Sequence, residues 1–259
     1  LQYRVTIFAI PLVPFMQKYV VEPGKKIWGE NWGEDSGTSD GGKVGNRKGK
    51  ARYTIVGATS GVGQCLASEI MSKSSDGAEI NAITRDVESA AAFTMLDGCK
   101  FVEADASDAS SLPPALEGSD YLIISIGTTA FPSKKWGKNK ENDPKAACLD
   151  SVKNILDAVK GLAKKPKRIV LISSIGVERA QELPFSILNS FGVLEYKRQS
   201  EELVREFSSM TGISSVIVRP GRLVGAPFTN SDLAALLKTD QGSKKKIVLS
   251  PGDNVAGDT

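Results

Sequence analysis

Short apolar runs alternate with longer amphipathic stretches from about residue 51 onward. The runs 121-YLIISI-126 and 168-RIVLIS-173 are almost continuously apolar, which is typical of parallel strands buried on both faces. Alternation of such strands with helical stretches predicts an α/β fold with a doubly wound parallel sheet. We predict strands near 53–57, 79–84, 100–103, 121–126, 168–173 and 214–218, and helices near 62–73, 86–95, 146–163, 194–210 and 231–238.

The chain before residue 51 has a different character. Residues 1–34 carry aromatic side chains without a regular alternation, and residues 35–50 are rich in Gly, Ser and Lys. We interpret 1–34 as a docking extension, 35–50 as a flexible linker and 51–259 as one folded domain. The apolar run 5-VTIFAIPLVPF-15 is too short to span a bilayer, so no transmembrane span is predicted. A start at Leu1 instead of Met favours a removed segment, such as a targeting peptide, or a partial chain.

Composition excludes several classes of function. The 33 basic and 30 acidic residues give a net charge of only +3, which does not favour nucleic acid as a partner. The three cysteines, Cys65, Cys99 and Cys148, are far apart, so neither a disulfide framework nor a zinc site is predicted. The chain contains no His, which removes Ser-His-Asp catalysis and the commonest metal ligand.

Three glycines follow the first predicted strand of the domain. In 57-GATSGVG-63 their spacing is GxxxGxG instead of the commoner GxGxxG. Such glycines permit a tight turn, close approach of backbone N–H groups to a pyrophosphate, and close helix packing, while the helix N-terminus adds positive charge. A plain strand-to-helix turn is the alternative. The candidate cofactor contacts in this loop are Gly57, Thr59, Ser60, Gly61, Val62 and Gly63.

The end of the second strand, 83-ITRD-86, lies where dinucleotide-binding folds contact the adenosine ribose. An acid there binds the 2′-hydroxyl of NAD(H), whereas a base accommodates the 2′-phosphate of NADP(H). Arg85 occupies this position, and a guanidinium binds phosphate in a bidentate manner. We therefore favour NADP(H) over NAD(H). The adjacent Asp86 argues against this choice, and a solvated Arg85 is the alternative.

Two further strand ends carry small or polar residues. The segment 105-DASD-108 follows the third strand, and its Asp105 and Ala106 are candidates to flank the adenine. Gly127, in 127-GTT-129, follows the fourth strand and is a candidate for the path toward the nicotinamide. Open α/β sheets bind ligands at the carboxyl ends of their strands. The order of these segments therefore predicts a dinucleotide site in a Rossmann fold.

Residues 51–259 resemble the short-chain dehydrogenase/reductase superfamily, and in detail its atypical, NmrA-like NAD(P)-binding branch of plastids and cyanobacteria. The resemblance rests on "GATSGVG", "TRD", "DASD", "DPKAACLDSVKNILDAVK", "VLISSIGV", "VLEYKRQSEELVRE" and "SVIVRPGRLVG". The branch includes reductases as well as assembly, docking and redox-sensing proteins of photosynthetic membranes. In the branch, a further helix follows a segment like 247–259, so we expect either an incomplete chain at Thr259 or a missing substrate lid.

The resemblance also implies a catalytic Ser, Tyr and Lys. Ser173 or Ser174 matches the Ser that holds the carbonyl, and Lys197 matches the Lys that holds the ribose. Val193 stands four residues before Lys197, where the superfamily has its proton-donating Tyr. Tyr196 is a poor substitute, because neighbouring residues of a helix point about 100° apart.

Simpler structural roles are the alternatives for these positions. A Ser at a strand end can bond to local backbone, and Lys197 can be a solvated helix residue. Pro220 and Gly221, in 219-RPG-221, resemble the loop beside the nicotinamide carboxamide. A plain turn explains them nearly as well.

Two functional hypotheses follow. The first is a catalytically degenerate NADP(H)-binding protein that acts as an accessory, assembly or structural subunit of a larger complex, bound through residues 1–34, whose aromatic residues suit an interface. The second is an NADPH-dependent oxidoreductase of a small carbonyl or quinone, with Tyr196 or a water held by Ser174 as the proton donor. The resemblance implies a plastid location, in the stroma or at the stromal face of the thylakoid, with peripheral membrane association through the complex. The mitochondrial matrix and the cytoplasm are the alternatives.

Overall fold

One parallel sheet forms the centre of the fold in the computed structural model, which describes residues 3–7, 50–74 and 77–221. Its order is β1-β7-β6-β5-β2-β3-β4, and every neighbouring pair is parallel. The strands are β1 (Tyr3–Ile7), β2 (Arg52–Val56), β3 (Glu79–Thr84), β4 (Lys100–Glu103), β5 (Tyr121–Ile124), β6 (Arg168–Ile172) and β7 (Ser214–Pro220).

Helices cover both faces of the sheet. Leu122, Ile155 and Phe207 belong to the apolar core on one face, and Ile55 and Leu66 belong to the core on the other. The predicted doubly wound α/β fold is therefore confirmed. The helices are α1 (Gly61–Lys73), α2 (Val87–Ala90), α3 (Leu112–Leu116), α4 (Ser151–Gly161), α5 (Phe185–Leu188) and α6 (Val193–Thr211), with 3₁₀ turns at Thr94–Leu96 and Lys134–Trp136 and a π-helical turn at Ala146–Asp150.

Several elements differ from the sequence prediction. The helix predicted at 86–95 divides into α2 and a 3₁₀ turn, because Ala90 is the buried residue of α2 and the chain must then turn to bury Leu96. Helix α3 was not predicted, because Pro113 and Pro114 obscure its pattern, although proline is tolerated in a first helical turn. Residues 35–49 of the predicted linker and the predicted helix at 231–238 lie outside the described residues.

A seventh strand comes from the N-terminal segment. Strand β1 pairs with β7 from Tyr3 opposite Val216 to Ile7 opposite Pro220. The sequence analysis did not predict this strand, because the apolar run continues to residue 15 without the pattern of the other strands. The remainder of residues 1–34 lies outside the described residues, so the docking role of that extension stays a prediction.

The strand order places a crevice at the centre of the sheet. Strand β2 lies between β3 and β5, so the chain winds away from β2 in both directions. Open α/β sheets bind ligands at such a switch point, beyond the carboxyl ends of the strands. None of the helices within the described ranges is long and apolar enough to cross a membrane.

Candidate functional site

The turn after β2 brings the chain against the end of β5. Gly57 has a φ of 84°, a left-handed conformation that glycine adopts without steric cost. A Cβ atom at Gly57 would lie 2.5 Å from the carbonyl oxygen of Ser125. Glycine is therefore required both by the direction of the turn and by the close approach of the two strand ends.

Helix α1 begins directly after this turn. Ser60 is its N-cap and accepts a hydrogen bond from the backbone N–H of Gly63 at 3.0 Å. A Cβ atom at Gly63 would lie 2.2 Å from the carbonyl oxygen of Gly57, so glycine allows the helix to pack on the loop. Gly61 is the first residue of α1, and the half-buried Val62 packs against the core. The positive end of the helix dipole thus lies beside the loop, where it favours an anion.

A cleft of about 230 Å³ opens at the carboxyl ends of β2, β3, β4 and β5. It brings together residues that were proposed from four separate sequence segments, namely Gly57, Thr59, Ser60, Arg85, Asp105, Ala106 and Gly127. Ser125, Asn142 and Ser151 also line it, and the sequence analysis missed them. Ser125 lies near the carboxyl end of the strand predicted at 121–126 and was open to detection, whereas Asn142 and Ser151 carry no motif that marks them.

Arg85 and Asp86 have different partners. Arg85 is exposed at the cleft, and its Nη1 donates a hydrogen bond to Oδ1 of Asn142 at 3.0 Å. Asp86 is the N-cap of α2, where its carboxylate accepts from the backbone N–H of Ser89 at 3.0 Å and from the Ser89 hydroxyl. The hydrogen bonds from Ser89 hold the pKa of the Asp86 carboxyl below its usual value. The carboxylate that argued against NADP(H) therefore has a local structural role.

Polar contacts fix the segment after β4 at the wall of the cleft. Asp105 Oδ1 accepts a hydrogen bond from the backbone N–H of Ser107 at 2.8 Å, and the Asp105 N–H donates to Ser111 Oγ at 3.0 Å. The side chain of Asn154, on α4, donates to the carbonyl oxygen of Ala106 at 3.1 Å. These bonds hold Asp105 and Ala106 in a defined position at one end of the cleft.

Lys197 lies between the ends of β5 and β6. Its Nζ donates a hydrogen bond to the carbonyl oxygen of Ile172 at 3.3 Å and lies 3.6 Å from the position of a Cβ atom on Gly127. Ser174 Oγ donates to the carbonyl oxygen of Ile175 at 3.0 Å. Ser173 is 4% exposed, and its Oγ has no hydrogen-bond partner among the described residues. The structure thus places Lys197 and both candidate serines around one strand end.

Val193 is part of an apolar cluster instead of a polar site. It is 6% exposed and belongs with Cys148, Val177 and other buried side chains to a third core cluster. The ring of Tyr196 packs against this cluster and lies 2.7 Å from the position of a Cβ atom on Gly192. A hydrocarbon side chain therefore stands at the position that matches the proton donor of the superfamily that this chain resembles.

The end of β7 is joined to the loop after β6. Pro220, the last residue of β7, is buried, and its carbonyl oxygen accepts from the backbone N–H of Ile175 at 3.0 Å. Gly221 follows as the last described residue. The two residues thus lie next to the serine segment, as expected for a loop near the nicotinamide end, and the contact seen is a backbone contact.

A buried network of ion pairs lies at the end of β7. The sequence analysis did not predict it. Arg219 and Glu201 are 1% and 0% exposed, and Arg219 Nη2 lies 2.6 Å from Glu201 Oε2. Arg219 also pairs with Glu178 at 2.9 Å, and Glu201 pairs with Arg205. The network joins β7 to α6, the helix that carries Lys197.

Comparisons with known proteins agree with this geometry. The sequence matches the family of NAD(P)H-binding proteins over residues 57–250. An uncharacterized chloroplastic protein of Arabidopsis thaliana is 31% identical over 131 residues, an alignment that covers 46% of this chain and only 38% of that protein.

Solved structures show the same fold. A proposed epimerase of Burkholderia cenocepacia aligns with a TM-score of 0.54 at 17% identity, over 73% of this chain and 59% of its own. A short-chain dehydrogenase/reductase of Brucella melitensis aligns with a TM-score of 0.54 at 20% identity, over 72% of this chain and 77% of its own. At these identities the likeness concerns the fold alone. With the family match over residues 57–250, the chain belongs to the family of NAD(P)H-binding proteins.

Proposed function

We propose that this protein binds NADP(H), is catalytically degenerate, and serves as an accessory, assembly or structural subunit of a larger complex. One observation carries the proposal: Val193, buried at 6% exposure, occupies the position of the proton-donating Tyr, four residues before Lys197. Seven of the residues proposed to hold the dinucleotide line one cleft, which supports retained binding in a protein whose chemical step lacks its acid.

Arg85 supports NADP(H) in preference to NAD(H). Its guanidinium lies at the cleft wall, where it would meet the 2′-phosphate in a charge-assisted, bidentate contact. Asp86, the acid that would favour NAD(H), caps α2 through its bonds to Ser89. The pyrophosphate would bind at the N-terminus of α1, beside Gly57 and Ser60.

The missing acid explains why slow or absent turnover is expected. The bound cofactor supplies a hydride, and hydride transfer to a carbonyl requires a proton for the developing alkoxide. General acid catalysis contributes about 10²- to 10⁴-fold to such a step. We assign no proton-donor role to Lys197, because its Nζ donates to the Ile172 carbonyl oxygen and the matching Lys of the superfamily that the chain resembles holds the ribose. Tyr196 packs its ring on the Gly192 turn.

Exposed apolar surface supports the accessory role. Leu183, Ile187 and Phe191 are exposed within one short segment that includes α5, and clustered apolar residues of this kind mark interaction surfaces. Residues 1–34 add further aromatic side chains. The chloroplastic location of the Arabidopsis relative supports a plastid location, which we propose to be the stroma or the stromal face of the thylakoid.

A second candidate function is an NADPH-dependent oxidoreductase of a small carbonyl or quinone. The observation that favours it is the buried Ser173 Oγ, which lacks a partner among the described residues and lies one residue after the Ile172 carbonyl that Lys197 contacts. A buried hydroxyl without a partner is costly unless a ligand or water satisfies it. A substrate oxygen would satisfy it here.

Measurements of cofactor binding and of turnover on the same preparation distinguish the two functions. We expect NADPH to bind in calorimetry, and we expect quinones, aldehydes and ketones to be reduced no faster than the background without protein. Turnover above about one per second, within the usual range of enzymes, would favour the oxidoreductase, provided that Tyr196→Phe or Ser173→Ala abolishes it. Tyr53→Phe is the matched control, because Tyr53 stacks on Tyr121 at the opposite end of the sheet.

The accessory role has its own test. The native particle that contains the protein in isolated plastids should be much larger than the monomer. It should lose its partners when residues 8–34 are deleted, a change that leaves strand β1 in place. A particle of monomer size would contradict the role as a subunit, and a total absence of NADPH binding at millimolar concentration would contradict the cofactor.

A further inference from the structure

The contact between Arg85 and Asn142 joins two parts of the chain that are 57 residues apart. Both side chains line the cleft, and Arg85 Nη1 donates to Asn142 Oδ1 at 3.0 Å. Arg85 belongs to the end of β3, whereas Asn142 belongs to the segment between β5 and α4. The two residues are far apart in the sequence. Their contact therefore depends on the path of residues 137–145, here called the 137–145 loop.

Backbone bonds hold Asn142 in place independently of its side chain. Its N–H donates to the carbonyl oxygen of Trp136 at 3.0 Å, and Trp136 is buried with its Nε1 bonded to the Thr129 carbonyl oxygen at 3.1 Å. The next residue, Asp143, accepts from the N–H of Ala146 at 2.9 Å. Asn142 is therefore fixed on both sides, and its amide oxygen is a defined acceptor for the guanidinium.

The neutrality of the asparagine amide matters for the function of Arg85. A hydrogen bond to an amide uses one of five N–H donors and leaves the positive charge uncompensated. The nearby carboxylates accept from other groups: Asp86 from Ser89, and Asp105 from Ser107. Among the residues that the structure describes, Arg85 thus has a neutral side-chain partner, and its charge remains available to an anion.

We infer that Asn142 positions the Arg85 guanidinium for the 2′-phosphate, so that the 137–145 loop sets the selectivity for NADP(H) over NAD(H). This inference rests on the proposed function, because it assigns Arg85 to the phosphate. Ordering a long side chain before the ligand binds reduces the entropic cost of binding. Asn142 is a positioning residue, since it acts through Arg85.

Calorimetry with NADPH and NADH tests this role in the full chain. Asn142→Ala leaves the Arg85 side chain to be immobilised only when the ligand binds, so we expect NADPH binding to weaken about three- to tenfold while NADH binding changes less than about twofold. Asn142→Asp is nearly isosteric but adds a negative charge that competes with the phosphate. We expect it to weaken NADPH more than Asn142→Ala does, whereas a merely structural role would be rescued by it.

A double-mutant cycle and a control complete the test. In an Arg85→Ala background, Asn142→Ala should have no further effect on NADPH. Asn139→Ala, in the same loop but outside the cleft lining, should change neither cofactor, and melting temperatures identify any variant that fails to fold.

Results that contradict the proposal distinguish the positioning role of Asn142 from the phosphate-binding role of Arg85. Equal loss of NADPH and NADH in Asn142→Ala, or an undiminished effect in the Arg85→Ala background, overturns the positioning role alone. If Arg85→Ala itself weakens both cofactors equally, the phosphate site of the proposed function fails and the positioning role fails with it.

Discussion

The candidate site depends on different features of the chain in the two halves of the sheet. On the side of β2, β3 and β4, the site depends on backbone geometry: a Cβ atom on Gly57 or Gly63 would overlap neighbouring carbonyl oxygens. On the side of β5, β6 and β7, it depends on the identity of side chains such as Ser174 and Lys197, which contact backbone carbonyls that accept any donor. The glycine loop of the first half can change only together with the backbone around it, whereas the second half can lose its function by exchange of one side chain.

Val193 shows how such an exchange is accommodated. The valine lies in an apolar cluster with Cys148 and Val177, so in the proposed function this position contributes to the core instead of the chemistry. The fold and the cofactor site need no change for this. Membership of an NAD(P)H-binding family therefore indicates binding of the dinucleotide and leaves activity to be decided at the residues themselves.

The same half contains a buried ion pair. Arg219 and Glu201 are nearly inaccessible to solvent and 2.6 Å apart. Removing one partner of a buried ion pair leaves an uncompensated charge, at a cost of about 3–5 kcal/mol. Side chains, and not backbone, thus hold β7 to the helix that carries Lys197.

The largest effect is expected for Glu201→Gln. This change keeps the shape but removes the carboxylate from Arg219, so we expect the free energy of unfolding to fall by about 3–5 kcal/mol. Denaturant unfolding monitored by circular dichroism measures it. Glu202→Gln is the matched control, because Glu202 is exposed and pairs with Arg198 at the surface, where a pair contributes about 0–1 kcal/mol. Equal effects of the two changes would show that the buried network is not what stabilises this half.

Sequence alone predicted the glycine loop and the sheet because their causes are local. Neighbouring residues in the sequence determine the requirement for glycine at positions 57 and 63. They also determine the strands at 79–84 and 100–103. The Arg219–Glu201 and Arg85–Asn142 contacts join residues 18 and 57 positions apart. Their residue types are ordinary at a protein surface, so only the path of the chain shows that one pair is buried and the other lines the cleft.

A smaller loss of stability is expected from crowding in the glycine loop, in the half of the sheet that contains β2, β3 and β4. Gly63→Ala places a Cβ atom 2.2 Å from the Gly57 carbonyl oxygen, and overpacking of this kind costs about 1–3 kcal/mol. NADPH affinity should fall as well, because α1 must move away from the loop. Gly161→Ala is the control, since no atom lies within 4 Å of the position of its Cβ and the change should stabilise by about 0.4–1 kcal/mol. Thermal unfolding with and without NADPH measures both quantities, and an unaltered Gly63→Ala protein would contradict the close packing of α1.

The smallest effect is expected at Ser60, whose side chain links the two halves. Its Oγ accepts from the Gly63 N–H at 3.0 Å and donates to the Ser125 carbonyl oxygen, at the end of β5, at 3.2 Å. Ser60→Ala removes an N-cap, so we expect a loss of about 1 kcal/mol and a melting temperature lower by about 2–4 °C. Ser72→Ala, whose hydroxyl bonds within the same helix to Glu69, should cost less. If Ser60→Ala lowers NADPH affinity without lowering stability, the side chain contributes to the ligand and not to the helix, and the glycine loop depends on a side chain as well as on its backbone.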